Sequence, residues 1–323
     1  MYVALFPGQG SQASGMGKFL FSEFQKAREV FEEASEAISF DLKKLCFDGS
    51  DSDLQLTENT QPALLVTSIA TYRVVHHEYG LTPLASAGHS IGEYAALVAS
   101  GVISLSHATQ AVRRRGQAMQ AAVPVGQGGM MATLGLDENQ ARWLCDWAKK
   151  ESGFGPLSPA NFNCPGQIVI SGNTKTLDWL RLNLKPEEIP GAPRRVKLIP
   201  LSVSAPFHCE MMAPAEAVMR EVLTGIPFAK GLFPIVQNFQ ADFEEDPQKL
   251  RENLIRQVSA PVLWTQSLET IKKKGLFQFI EFGHGQVLKG LLKKIDSENF
   301  QVWTTSSLDE VRALESHLKA SGH

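Results

Sequence analysis

The stretch Leu84-Ala85-Ser86-Ala87-Gly88-His89-Ser90-Ile91-Gly92-Glu93 decides the fold. Leu84 to Ala87 reads as a short buried strand, and a helix begins near Ser90 and closes at Gly101, as a C-terminal glycine should. Between them, Gly88-His89-Ser90-Ile91-Gly92 fits G-x-S-x-G, the strand-to-helix elbow that carries a nucleophile. Small residues are needed there because the chain reverses within a tight, strained turn. The serine oxygen is left at a helix N-terminus, where the dipole favours developing negative charge. A plainer reading competes: Ser90 and Glu93 also make S-x-x-E, a capping box that does no more than start a helix.

Working outward, short apolar runs alternate with amphipathic stretches, the pattern of a parallel α/β sheet. Tyr2 to Phe6 is a strand, broken by the turn Pro7-Gly8-Gln9-Gly10-Ser11-Gln12. Helical periodicity runs through Phe24 to Ile38 and again from Pro62 to Tyr79, with Ala63, Val66, Ala70, Val74 and His77 on one face. The middle has strands at Met130 to Leu134, Leu157 to Phe162, Ile168 to Ser171 and Arg195 to Ile199, with helices at Asp137 to Lys150 and Thr176 to Leu184. That order, β-α-β-β-α-β, is the ferredoxin-like unit. Its flanks, Pro124 to Gly129 and Pro190 to Pro193, have linker composition. The fold class expected is therefore α/β: a larger α/β-hydrolase-like domain with a parallel sheet (1–125 and 200–323) and an inserted small ferredoxin-like subdomain (126–199).

Bulk properties narrow the class of function. A net charge of -3 gives no reason to expect nucleic acid or an anionic membrane as partner. Cys46, Cys145, Cys164 and Cys209 lack C-x-x-C spacing, so neither a zinc site nor a disulfide framework is indicated. The apolar start reaches Pro7-Gly8 without a basic region, unlike a signal peptide, and no run approaches the ~20 apolar residues of a membrane span. A cytoplasmic enzyme without cofactor is the expectation. Nothing demands a partner subunit, so a monomer is expected.

A serine hydroxyl needs a base. Among the histidines, His76, His77, His107 and His317 fall in helical stretches, His323 is terminal, His89 is too close in sequence to fold back onto Ser90, and His284 occupies a glycine turn. His208 follows a strand-like run to Val203 and the kink Ala205-Pro206-Phe207, and opens a helix through Met211 to Leu223. At a helix N-terminus an imidazole stays neutral and able to accept a proton; it is equally a helix-start residue without chemistry. Backbone N–H groups near Gln9 and at Ile91 suit an oxyanion hole. Gly8-x-Gly10-x-x-Ala13 also matches a dinucleotide fingerprint, but the acids in the required window, Glu29, Glu32 and Glu33, lie inside an amphipathic helix. Arg115 lies on the apolar stripe Leu105, Ala108, Val112, Met119 and Ala122, so it points to the core. A buried arginine needs an anion, from an internal salt bridge or from a substrate carboxylate. Arg113 and Arg114 are expected to be solvated.

With these residues in place the chain resembles the malonyl-CoA:acyl carrier protein transacylase family. The likeness is carried by Phe6-Pro7-Gly8-Gln9-Gly10-Ser11-Gln12, Thr60-Gln61-Pro62-Ala63-Leu64, Gly88-His89-Ser90-Ile91-Gly92-Glu93-Tyr94 and Arg115-Gly116. Asn161-Phe162-Asn163, Pro165-Gly166-Gln167, Pro206-Phe207-His208 and Arg256-Gln257 continue it in order over nearly the whole chain. The resemblance implies a ping-pong reaction. Ser90 would take a malonyl group from malonyl-CoA and pass it to the thiol of acyl carrier protein, with His208 as base and then acid. It implies an oxyanion hole of Gln9 and Ile91, and a substrate-binding pair of Arg115, which would grip the malonyl carboxylate, and Gln257, whose backbone carbonyl would orient His208. It also implies the inserted ferredoxin-like unit. Two positions depart: Phe207 stands where many bacterial relatives have serine, and His284 replaces a usual proline. In related polyketide acyltransferases phenylalanine at that first place goes with malonyl.

Rivals remain. A serine esterase or thioesterase would place an acid between serine and histidine in the chain, and a polyketide-pathway enzyme would share the chemistry described here. A third possibility is a non-catalytic module with a decayed site. An acidic carrier protein would need a local basic patch, for which Lys272-Lys273-Lys274, Lys289 with Lys293 and Lys294, and Arg194-Arg195 with Lys197 are candidates.

Overall fold

The strand Val3–Phe6 is buried along its whole length because both of its faces are covered. Val3 and Leu5 join one core with Ala85, Ala87 and Phe279, while Ala4 and Phe6 join the other with Ile280 and Phe282. Successive side chains of a strand point to opposite faces, so an all-apolar strand belongs in the middle layer of a three-layer structure.

The computed structural model describes residues 2–191 and 195–320, with 315–320 by backbone alone. The strands are β1 (Val3–Phe6), β2 (Ala85–Gly88), β3 (Gly128–Leu134), β4 (Leu157–Cys164), β5 (Gln167–Asn173), β6 (Lys197–Pro200), β7 (Ile235–Gln237), β8 (Asp242–Glu244), β9 (Gln278–Glu281) and β10 (Gln301–Thr304). The larger sheet runs β10-β9-β1-β2-β7-β8. All its pairings are parallel except β7 with β8. A fully parallel sheet was the expectation. The exception arises because a tight turn joins β7 to β8, and a connection that short links only antiparallel strands.

The smaller sheet is antiparallel in the order β4-β5-β3-β6, with helices Glu138–Ser152 and Thr174–Asn183 against it. This is the ferredoxin-like arrangement. Backbone bonds stitch it to the larger unit: Phe162 N–H donates to Val262 O at 2.9 Å, and Val262 N–H to Ala160 O at 2.8 Å.

Several expectations are corrected. The second long helix starts at Thr57 rather than Pro62 and is buried on nearly all sides as far as Val75, so it has no single apolar face; His77 is exposed. Pro62 is tolerated inside it because the carbonyl it leaves without a donor, Glu58 O, accepts from Arg113 Nη1 at 2.9 Å. Arg113 is thus a partly buried strut rather than a solvated charge, while Arg114 is exposed. The glycine turn after β1 leads into irregular chain and not into a helix, which begins only at Lys18. It therefore lacks the helix N-terminus that a dinucleotide phosphate requires. The final strand of the small unit starts at Lys197, and residues 192–194, including Pro193 and Arg194 of the linker and basic-patch readings, lie outside the described residues.

Candidate active site

Ser90 sits between β2 and the helix Gly92–Ala99 with φ of +52°, a left-handed conformation that costs a non-glycine residue energy. The flanking glycines make the turn possible. A Cβ on Gly92 would collide with Phe6 O, and one on Gly88 with the backbone of Gly92. The capping-box reading does not hold. Ser90 Oγ faces the cavity, and Glu93 turns inward to Gln237, Asn238 and Gln257.

His208 Nε2 lies 2.7 Å from Ser90 Oγ, and His208 Nδ1 lies 2.9 Å from the backbone oxygen of Gln257. A carbonyl only accepts, so Nδ1 carries the proton and Nε2 presents its lone pair to the hydroxyl. Burial, then the Arg115 charge, hold the pKa of His208 down to about 3. The reason for its neutrality differs from that expected: β6 ends at Pro200, and the helix Ala213–Thr224 starts five residues beyond His208 after a short 3-10 turn. Like Ser90, His208 has positive φ, +58°.

Arg115 is 1% exposed. Its Nη1 donates to Gln61 Oε1 at 3.0 Å, and its Nη2 to Gln257 Oε1 at 3.0 Å and to Ser90 Oγ at 3.3 Å. These partners are neutral; no acidic side chain forms an ion pair with it among the described residues. Its Nε–H is buried without an acceptor. The internal salt bridge that the sequence left open is absent, and the positive charge faces the serine. Burial lowers the pKa of Arg115, against the opposing pull of Tyr94 and Glu93.

A cavity of about 300 Å³ unites Gln9, Ser90, Ile91, Arg115, Phe207 and His208, with Met130 and Asn161 contributed by the small unit. The amides of Gly10 and Ser90 are committed, to Gln12 Oε1 and Asn238 Oδ1. Those of Gln9 and Ile91 have no partner among the described backbone bonds outside helices and strands. Gly8 packs so closely that a Cβ there would stand 2.6 Å from His89 O, which locks the β1 turn against the elbow. Gln257 does not line the cavity. It lies behind it, with its carbonyl on His208 and its side chain on Arg115, Ser90 O and Glu93. His89 also lines the cavity, but its Nε2 meets Asn163 of β4 at 2.8 Å and its ring packs edge-on against Trp264. His284 lies in the turn after β9, outside the residues that line the cavity.

Asn238 was missed. Its side chain accepts from Ser90 N–H at 2.7 Å and donates to Gly88 O at 2.7 Å, bracing the elbow from both sides. It comes from the loop after β7, 148 residues from Ser90, and no local spacing signals it. The carboxylate required by a serine hydrolase triad is not behind His208; a carbonyl is.

Comparison with known proteins agrees with this geometry. Residues 2–308 match the acyl transferase domain family. The chain is 44% identical over 292 residues to the malonyl CoA-acyl carrier protein transacylase of Bacillus subtilis, covering 90% of this chain and 89% of that one. It is 39% identical to the Escherichia coli protein of the same name, covering 98% and 99%. Among solved structures it is similar to an acyl carrier protein S-malonyltransferase from Vibrio cholerae, with TM-score 0.90 and 38% identity over 97% of this chain and 99% of that one. A type II PKS acyl-carrier protein in complex with its malonyl-transacylase gives TM-score 0.88 at 38% identity, over 98% and 99%. A likeness of this extent, running through both sheets and every segment that meets at Ser90, means that the chain belongs to the malonyl-CoA:acyl carrier protein transacylase family.

Proposed function

We propose that this enzyme moves the malonyl group of malonyl-CoA to the phosphopantetheine thiol of acyl carrier protein, for fatty acid biosynthesis, through a malonyl-Ser90 intermediate. The supporting observation is one oxygen, Ser90 Oγ, that meets a neutral imidazole at 2.7 Å and a buried, carboxylate-free guanidinium at 3.3 Å. An uncharged ester has no use for that guanidinium; a malonyl carboxylate does.

The steps follow from the atoms. Ser90 Oγ attacks the thioester carbonyl as its proton passes to His208 Nε2, and the amides of Gln9 and Ile91 donate to the oxyanion. The C–S bond breaks, and His208 returns the proton to the departing coenzyme A sulfur. The carrier thiol then enters, gives its proton to His208 and attacks the ester, and Ser90 leaves with a proton from His208. Arg115 holds the malonyl carboxylate throughout, and Gln257 O keeps the proton of His208 on Nδ1. Phe207 narrows the cavity beside Ser90 and favours malonyl over a bulkier branched acyl group. The same reading places the reaction in the cytoplasm and the enzyme as a monomer; its four cysteines are free and buried, as suits a reducing compartment. We also propose the division into 1–125 with 200–323 and 126–199, supported by a small sheet whose strands run from Gly128 to Pro200.

Intact-protein mass spectrometry after incubation with malonyl-CoA tests the function. The wild type should gain one malonyl group and lose it to carrier protein, while Ser90→Ala gains none. An adduct that persists in Ser90→Ala ends the mechanism.

A further inference from the structure

Glu93 stands one turn beyond the nucleophile with no exposed surface, yet it has no role in the steps above. Among the described residues it pairs with no cation. N–H donors surround it instead: Gln237 Nε2 at 2.9 Å on Oε1, and Asn238 N at 2.8 Å and Gln257 Nε2 at 3.0 Å on Oε2. Burial pushes the pKa of Glu93 up, and the donors on both oxygens, with the Arg115 charge beyond them, work against that shift and favour the carboxylate. A capping role does not account for the placement, because the side chain bonds no amide of its own helix.

Two of the three partners are the groups that brace the site. Asn238 holds the elbow at Ser90 N–H and Gly88 O. Gln257 touches three participants: its carbonyl meets His208, its Nε2 also donates to Ser90 O at 3.0 Å, and its Oε1 accepts from Arg115 Nη2 at 3.0 Å. An amide has one donating and one accepting end. With Glu93 Oε2 and Ser90 O both demanding hydrogens, the Gln257 amide has one acceptable direction, which turns its oxygen to Arg115. Reversed, it would oppose oxygen to carboxylate and N–H to guanidinium.

We propose that Glu93 is a positioning residue for substrate choice: its carboxylate sets the direction of the Gln257 amide, and that amide holds Arg115 Nη2 beside Ser90 Oγ. The acid reaches Arg115 only through the intervening amide. It therefore stabilises the buried cation electrostatically without occupying the N–H groups that the substrate carboxylate will use. Contact between the two would make the salt bridge that disables the carboxylate grip. This inference rests on the malonyl-transfer reading.

The test is Glu93→Gln, nearly isosteric, assayed on malonyl-CoA and acetyl-CoA. An amide at 93 supplies a donor where only acceptors fit and frees Gln257 to reverse. We expect kcat/KM for malonyl-CoA to fall about 10- to 100-fold, the scale of a lost buried charged hydrogen bond, mainly through KM. The malonyl-to-acetyl preference should fall about tenfold or more. Gln257→Met is the second arm. It keeps the carbonyl on His208 but cuts the amide bridge, and should produce the same fall in preference even if Glu93→Gln fails to fold. Where both fold, the double variant should lose little more than either single one. A preference unchanged within twofold in either folded variant overturns the proposal, while wild-type enzyme that takes no malonyl on Ser90 instead overturns the reading beneath it.

Discussion

Arg115 and His208 both contact Ser90 Oγ, and the proposed mechanism sets them opposite demands. The guanidinium favours a negative group at Ser90, yet its charge also weakens the proposed base, since after burial it helps hold His208 near pKa 3. Under the proposed mechanism a malonyl carboxylate seated on Arg115 offsets that charge, the lesser of the two causes, while burial continues to hold the imidazole neutral. Arg115→Ala should therefore cut malonyl loading about 100-fold or more while acetyl loading changes little or rises, read by competing the two thioesters for Ser90. The depressed pKa also makes a claim about acid. The folded chain keeps His208 neutral down to about pH 3, whereas the unfolded chain protonates it near the ordinary histidine value of 6.5. Stability contributed by this residue is complete above 6.5 and is lost as pH falls through that window, by up to about 1.4 kcal/mol per pH unit. Urea midpoints should fall more steeply there for wild type than for His208→Gln, and acylation of Ser90 should show no acid limb near 6.5. Ser90 and Arg115 were legible because a turn motif and a helical stripe are local patterns. Asn238 was not, because a residue that acts across 148 positions leaves no periodicity to find.

The elbow works as an element because bare backbone fills its crossing with β1. Gly92→Ala forces a methyl into Phe6 O, and the rigid backbone on the other side cannot give way as a side chain would. We expect a loss of about 3 kcal/mol or more by urea denaturation, and little activity in whatever folds. The strand–turn–helix order at this place was readable from residues 84–101 alone. The helix Thr57–Tyr79 was misplaced at its start for a physical reason: Pro62 reads as an N-terminal residue, and only Arg113, two helices on, supplies the donor that lets the helix begin earlier. The neutrality of His208 was expected from a helix start at the residue, and burial is its largest cause. The regular helix starts only at Ala213, after a 3-10 turn, and the burial comes from segments distant in the chain.

At the scale of the whole molecule, the inserted unit is not loosely hung. Backbone bonds through Val262 and the His89–Asn163 contact join it to the larger sheet across the cleft that holds the cavity. Trp143, Trp147 and Trp179 belong to the small unit and Trp264 and Trp303 to the large one, so fluorescence reports on both. We expect tryptophan emission and far-UV circular dichroism to give coincident urea transitions; two separated steps would show that the units melt independently. The arrangement of the small sheet was legible because each of its elements is a short, regular run. The antiparallel edge β8 was not, being three residues long.

The two amides proposed for the oxyanion, those of Gln9 and Ile91, stand on segments whose spacing is fixed by glycine against carbonyl, Gly8 on His89 and Gly92 on Phe6. No side chain intervenes, so ordinary substitutions around the pocket leave the gap between those amides untouched. Under the proposed mechanism, a change in the walls of the pocket would alter which acyl group fits while the gauge that measures the reacting carbonyl stays the same.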